Sequence, residues 1–279
     1  MNNYAIGYYN YNGPQTNNIP KNGISFPATG VVHLDGCSTC NLSASDPIPN
    51  LEGTAVNMIQ EMKKRGWKLA FQKADSELSA NSIRRSDQGY GGGEIFTQAT
   101  IGLFMTHGSY GIDPDYKPGS SGSKQTYWAS SNPGDSGDNV WLRMCQFGFG
   151  GNLKWMAILA CNSLCDPNYS SMVNAGAIPL KTTHLLCGTA TIAAMEENLC
   201  KYWAANMIGS KQEIKDAWFN AGSKAYHEAD QNALANDTII FRVTGYSECI
   251  DDTVANNTEP TNPSSAPGDL IKRDQQVYP

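Results

Sequence analysis

Charge is scarce in this chain: Asp, Glu, Lys and Arg make up 16% of its 279 residues, against roughly 25% in an average soluble protein. The formal net charge is −6, and the longest basic cluster is the triplet Lys63-Lys64-Arg65. A nucleic-acid surface concentrates Lys and Arg in one patch, so that class of partner is excluded. No apolar run approaches the 18 or so residues of a membrane-spanning helix. No signal-type segment is present either, as is also expected of a secreted protein in its mature form. Gly91-Gly92-Gly93 lacks the Lys-Ser/Thr of a phosphate loop and the spacing of a dinucleotide fingerprint, which leaves a flexible loop.

Gly, Asn and Ser supply the polarity that charge does not. That balance predicts a loop-rich protein in an extracellular or cell-envelope setting, with the cytoplasm as the alternative. Hydrophobic residues are 40% of the chain, enough for one large core. Eight cysteines permit disulfides in an oxidising compartment, although a chain this long does not need them to fold. Cys37 and Cys40 form a CxxC pair that fits a redox couple, a local disulfide or half a zinc site, whose other half is missing.

Hydrophobic periodicity divides the chain into one domain over residues 1–250, whose first 50 residues are irregular apart from strand-like pieces at Tyr4–Tyr9 and Gly30–Leu34. Leu51, Ala55, Met58, Ile59 and Met62 follow the helical period, and Gly66 supplies the stop. Strands are expected at Trp67–Phe71, within Ile95–Thr106, at Leu153–Ala160, His184–Cys187 and Thr238–Val243. Helices are expected at Glu196–Ile208 and Lys211–Ala229. Residues 109–139 read as a long Gly/Ser/Pro/Asp loop, of the kind that is usually functional or disordered. Residues 251–279 read as an extended or disordered tail that adds little to the core. Strands alternating with helices predict an α/β fold with a largely parallel sheet covered on both faces.

Two of these strands are near-continuous apolar runs, which suits burial on both faces of a parallel sheet. One ends in Met105-Thr106-His107-Gly108 and the other in Leu159-Ala160-Cys161. Ligands of open α/β sheets bind beyond the carboxyl ends of the strands, so neighbouring parallel strands would bring imidazole and thiol to one edge. The chemistry asks for such a pair. A thiolate is the nucleophile, and a free thiol is mostly protonated at neutral pH; a histidine takes or balances that proton. Gly108 permits close backbone approach, and the N–H groups of Gly108 and Cys161 are candidates for an oxyanion site.

At these residues the sequence resembles the caspase-like cysteine peptidases, which include caspases, legumains, gingipains and metacaspases. Their shared marks are an apolar strand followed by His-Gly and another followed by Ala-Cys, about 50 residues apart in caspases. Here they read Gly102-Leu103-Phe104-Met105-Thr106-His107-Gly108 and Trp155-Met156-Ala157-Ile158-Leu159-Ala160-Cys161. The resemblance looks closest to an uncharacterised bacterial family of this organisation. In that family the strand after the Cys strand and a helix with an Ala-Trp pair correspond to His184–Gly188 and Ala217-Trp218. It spans residues 50–245 and implies a caspase-like three-layer fold, a His107/Cys161 dyad and a peptide or protein substrate. Two positions depart from the pattern: Leu159 stands where many members carry an acidic residue or Gln, and Asn162-Ser163 follows the Cys.

Each candidate has a plainer alternative. A cysteine at a strand end is often a small buried hydrophobe, and a Cys161–Cys165 disulfide would remove the nucleophile. His184 reads as structural, His227 as solvated, and His33 has no assignable place. Asp35 and Asp113 are candidates for an acidic pocket and Asn162 for a substrate contact, although such residues commonly cap loops. No cofactor is required by this chemistry. Calcium is a possible ligand through Asp135 and Asp138, without an EF-hand pattern. The rival to a cysteine endopeptidase is a catalytically inactive caspase-like recognition or cell-surface module.

Overall fold

The computed structural model describes residues 2–8, 51–74, 78, 80–86, 93–106, 108–111, 125–129, 141–143, 147–166, 180–191, 196–229, 238–256 and 270–277. The strands are β1 (Asn3–Tyr8), β2 (Lys68–Ala74), β3 (Ile101–Met105), β4 (Gly108–Gly111), β5 (Gln125–Ala129), β6 (Trp141–Arg143), β7 (Trp155–Leu159), β8 (Leu185–Thr189), β9 (Ile239–Tyr246) and β10 (Leu270–Val277). The helices are α1 (Leu51–Lys64), α2 (Ala80–Ile83), α3 (Leu199–Ala204) and α4 (Ile214–Glu228). Helix α3 runs on into a wider turn at Ala205–Gly209.

Seven strands form the central sheet in the order β10-β9-β8-β7-β3-β1-β2. The pairs from β2 to β8 are parallel, while β9 and β10 close the far edge antiparallel. This is the mixed α/β architecture with a mostly parallel sheet that the alternating pattern predicts. The chain winds outward from β1 in one direction and from β3 in the other, so the order reverses between those two neighbours. In open α/β sheets that reversal is where ligands bind.

Strand alternation decides what each face buries. Cys187 of β8 and Phe241 of β9 face the helices: Phe241 packs edge-on against Trp218 and Tyr226 of α4 at ring separations of 5.6 Å. Trp218 also meets Trp203 of α3 at 5.6 Å and donates its indole N–H to Gly188 O. The opposite face carries a phenylalanine cluster, with Phe104 of β3 at 5.8 Å from Phe147 and 6.1 Å from Phe96. Phe96 lies in a short helical turn, Ile95–Gln98, and helix α2 is linked to the same side by Gly148 N–H to Ile83 O.

The apolar stripe of α1 is buried as its spacing requires, and the helix ends where Gly66 takes a φ of 79°. The N–H of Trp67 then bonds back to Met62 O at 3.0 Å, the six-to-one closure that a left-handed glycine permits.

Two expectations are corrected. The segment read as a long loop holds β4 and β5, which join β6 in a second, three-stranded antiparallel sheet. Thr126-Tyr127-Trp128 is a run of strand formers too short to stand out among glycine and serine. The tail is also part of the fold. β10 pairs with β9 along all eight of its residues, and Leu270 and Val277 are buried. Only these two of its residues are buried, so β10 shows no alternating apolar pattern from which to read it. Strand Gly30–Leu34 lies outside the described residues.

Candidate active site

β3 and β7 are adjacent and parallel, with Ile101 opposite Trp155 and Met105 opposite Leu159. Their ten residues are all buried, which is why both read as continuous apolar runs. Thr106 N–H donates to Leu159 O at 3.1 Å and carries the ladder one step past the strands. His107 lies outside the described residues, but its neighbours on both sides are described. Gly108, where β4 begins, lies with its backbone against the backbone of Cys161. A Cβ added at Gly108 would stand 2.0 Å from Cys161 O and 2.7 Å from Cys161 N. Only glycine fits that approach.

Beyond Leu159 the chain turns sharply. Ser163 N–H bonds to Ala160 O and Cys165 N–H to Asn162 O, each at 3.1 Å. Asn162 takes the left-handed conformation, φ 56°, which Asn tolerates better than most residues. Its N–H bonds to Thr191 O, and that of Leu164 to Thr189 O, both at 2.9 Å.

β7 and β8 pair only as far as Ala157 and Cys187. In the gap that opens beyond them the buried Ser163 hydroxyl donates to Ile158 O at 3.0 Å and accepts from Thr189 N–H at 3.1 Å. The Thr189 hydroxyl reaches back to Ala160 O at 3.2 Å. The turn that carries Cys161 is therefore held by both strands below it.

Cys161 and Cys165 are both free thiols, so no disulfide joins them. Cys161 is 7% exposed. Tyr226 of α4 lies within electrostatic reach of it. Burial pushes the Tyr226 phenol well up, and nearby negative charge on Glu196 and Cys161 adds to the effect; the group stays a protonated hydroxyl. Burial also raises the Glu196 carboxyl. Sequence reading missed Tyr226, because one tyrosine beside the apolar stripe of a helix carries no signal of its own.

Of the other nominated residues, Asn162 is 9% exposed and shapes the turn through its backbone. Asp35, Asp113, Asp135 and Asp138, together with Cys37, Cys40 and Cys145, lie outside the described residues.

A histidine–cysteine group lies at the opposite end of the sheet. His184, Cys249 and Asp252 are fully or almost fully buried, with ligand-type atoms all within 4.8 Å of one another. The geometry is that of a hydrogen-bonded brace. His184 Nδ1 meets Asp252 Oδ2 at 2.5 Å and its Nε2 meets Lys154 Nζ at 3.2 Å. A lysine ammonium only donates, so the imidazole accepts at Nε2 and its Nδ1–H donates a hydrogen bond to the carboxylate. Trp155 Nε1–H also donates to Asp252, at 3.0 Å. Two nitrogen and oxygen ligands of one tetrahedral zinc, each about 2.0–2.2 Å from the metal, stand well over 3 Å apart. The 2.5 Å contact and the neighbouring ammonium leave no such arrangement here.

Among the described residues no helix is long and apolar enough to cross a membrane. No protein of curated function matches the sequence. Among solved structures the chain is similar to the Drosophila initiator caspase Dronc, at 8% identity and a TM-score of 0.36 over 94% of this chain and 84% of that one; no function follows from a likeness of that size. A family model, described as a domain of unknown function, DUF6345, matches residues 34–265. That match covers both strand ends and five of the seven strands of the central sheet, leaving out β1 and β10, and the chain belongs to the DUF6345 family.

Proposed function

We propose that the chain is a cysteine-dependent peptidase of the caspase-like kind, with Cys161 as nucleophile and His107 as acid/base. The observation that carries this reading is the end of the β3–β7 pair. The two strands run parallel and in register to Met105 and Leu159. A free thiol follows two residues beyond one of them, and a histidine stands at the same step beyond the other. The close contact of Gly108 with Cys161 supports a paired role for their backbone N–H groups.

In the proposed reaction the Cys161 thiolate attacks a scissile carbonyl and forms a C–S bond. The Gly108 and Cys161 N–H groups stabilise the oxyanion. His107 holds the thiol proton and delivers it to the leaving amine as the C–N bond breaks. Water then hydrolyses the thioester. Asn162, Asp35 and Asp113 are proposed contacts for a peptide or protein substrate, and an extracellular or cell-envelope setting belongs to the same proposal.

One observation favours the rival, a catalytically inactive recognition module: Cys161 is almost entirely covered. Assay of a mixed peptide library, with a thiol-directed peptide probe in parallel, separates the two. The enzyme reading expects labelling at Cys161 that depends on His107, and Cys161→Ala should lower hydrolysis by roughly 10³-fold or more. Full hydrolysis by a well-folded Cys161→Ala protein would remove the proposal. A folded wild-type protein that neither hydrolyses nor labels would establish the inactive module.

A further inference from the structure

We infer that Arg242 is a positioning residue for Cys161: its guanidinium holds the turn after the cysteine, and the C-terminal strand holds the guanidinium. The inference rests on the reading of Cys161 as a nucleophile. Arg242 lies on β9, and strand alternation sends it to the face opposite Phe241 and the helices. There it is 4% exposed, beneath the Cys161–Asp166 turn.

The guanidinium works in two directions. Nη1 donates to Leu164 O at 2.8 Å and to Asp166 Oδ1 at 2.7 Å. Nε and Nη2 grip both carboxylate oxygens of Asp274 on β10, at 2.6 and 2.7 Å. Lys272, also on β10, reaches Asp166 at 2.6 Å. Two cations thus meet two carboxylates, and the buried charge is matched. The peptide units around Leu164 are then fixed from both sides: its N–H is taken by Thr189 O and its carbonyl by Arg242.

Lysine cannot replace this arrangement. A fork with separate donors spans two strands and a turn at once, while a point charge serves one side. Misplacement of a reacting group by about 1 Å costs on the order of 10²-fold in rate, so a brace on the turn reports at the sulfur. The sequence offers no sign of it, because Asp166, Arg242 and Asp274 are far apart along the chain.

The test uses the full chain and follows alkylation of Cys161 by iodoacetamide across pH, read by peptide mass spectrometry. The variants are Arg242→Lys and the isosteric Asp274→Asn, with melting temperature recorded for each and His107→Ala as reference. At a pH where wild-type Cys161 reacts in a His107-dependent way, both variants should react about tenfold or more slowly, with the pH profile displaced. Cys165, on the same turn, should gain reactivity as the turn loosens. A merely structural role would lower the melting temperature and leave the pH profile of the folded protein in place; that result overturns the inference. Should Arg242→Lys fail to fold, Asp274→Asn alone decides it by the same profile. If His107→Ala leaves Cys161 reactivity untouched, the nucleophile reading falls and takes this inference with it, whereas a His107 effect without an Arg242 or Asp274 effect removes the inference alone.

Discussion

The two ends of the β7–β8 pair each hold a buried cysteine, in different settings. At the amino end His184, Cys249 and Asp252 sit fully inside, and the imidazole has a partner on each nitrogen. At the carboxyl end Cys161 rides a turn with a left-handed Asn162. The hydrogen bonds there go to backbone and to Ser163, and they fix where the thiol stands. Histidine and cysteine in proximity do not make a site. Position at the carboxyl ends of the strands is the argument for one, since ligands of open α/β sheets bind there. The closed end contributes stability, and the open end is where reactivity is to be sought.

Removing residues 257–279 should produce the largest change. It takes away β10, leaves the edge of β9 bare and strips Arg242 of Asp274. Uncovering the buried Leu270 and Val277 costs roughly 1.5–3 kcal/mol each, which corresponds to a melting temperature lower by about 10 °C in a domain of this size. Unchanged melting would show that β10 does not support the sheet.

Asp252→Ala should come next, at about 3–5 kcal/mol in denaturant unfolding, since it leaves His184 and the Trp155 indole buried without their acceptor. The rate of Cys161 alkylation in the folded protein should stay as it was. A changed rate would mean that the two ends are coupled, and the contrast between them would have to be given up.

A pair of glycines tests the same contrast with smaller changes. A Cβ at Gly108 would stand 2.0 Å from Cys161 O, and one at Gly245 would stand 2.0 Å from His184 O. Overpacking of this kind costs about 1–3 kcal/mol or more, so both alanine variants should unfold earlier. Only Gly108→Ala should slow Cys161 alkylation as well. Equal loss of reactivity in the two would deny the carboxyl end its special standing.

The smallest effect is one of pH. Hydrogen bonds from Lys272 and then Arg242 hold the Asp166 carboxyl below its ordinary value of 3.8. A carboxyl lowered on folding stabilises the fold above that ordinary value, and the contribution is lost as pH falls through the lowered one. Asp166 is 69% exposed, so solvent screening limits the gain to below about 1 kcal/mol. Asp166→Asn should therefore lower stability slightly at neutral pH and hardly at all below the lowered value, which flattens the acid side of the profile. A steep acid loss that persists in Asp166→Asn would assign the transition to other carboxylates.

How much was legible depended on how each element is buried. β3 and β7 are covered on both faces, so their sequences are uninterrupted apolar runs, and the expected segments, within Ile95–Thr106 and Leu153–Ala160, contain them. Helices α1 and α4 bury one stripe each and showed the helical period. β10 buries only Leu270 and Val277 among polar neighbours, and an edge strand of that kind resembles a linker. β4 and β5 hide among Gly and Ser for a similar reason. The adjacency of the two strand ends could be argued from strand pattern and family resemblance; the partners that support the Cys161 turn could not.

By itself the sequence determined the local matters: which of the apolar segments are strands or helices, the α/β class, the lack of a basic cluster, and the pair of strand ends carrying histidine and cysteine. Those follow from periodicity and side-chain chemistry, which act over a few residues. The tertiary structure alone decided that Ser163 bridges β7 and β8, that Gly108 rests on Cys161, that Tyr226 comes within electrostatic reach of the thiol, and that Arg242 ties the turn to β10. It also decided that His184 is sealed into a brace with Asp252 rather than offered to solvent. These contacts join residues distant in the chain, and hydrogen-bond geometry between distant residues leaves no periodic trace in a sequence.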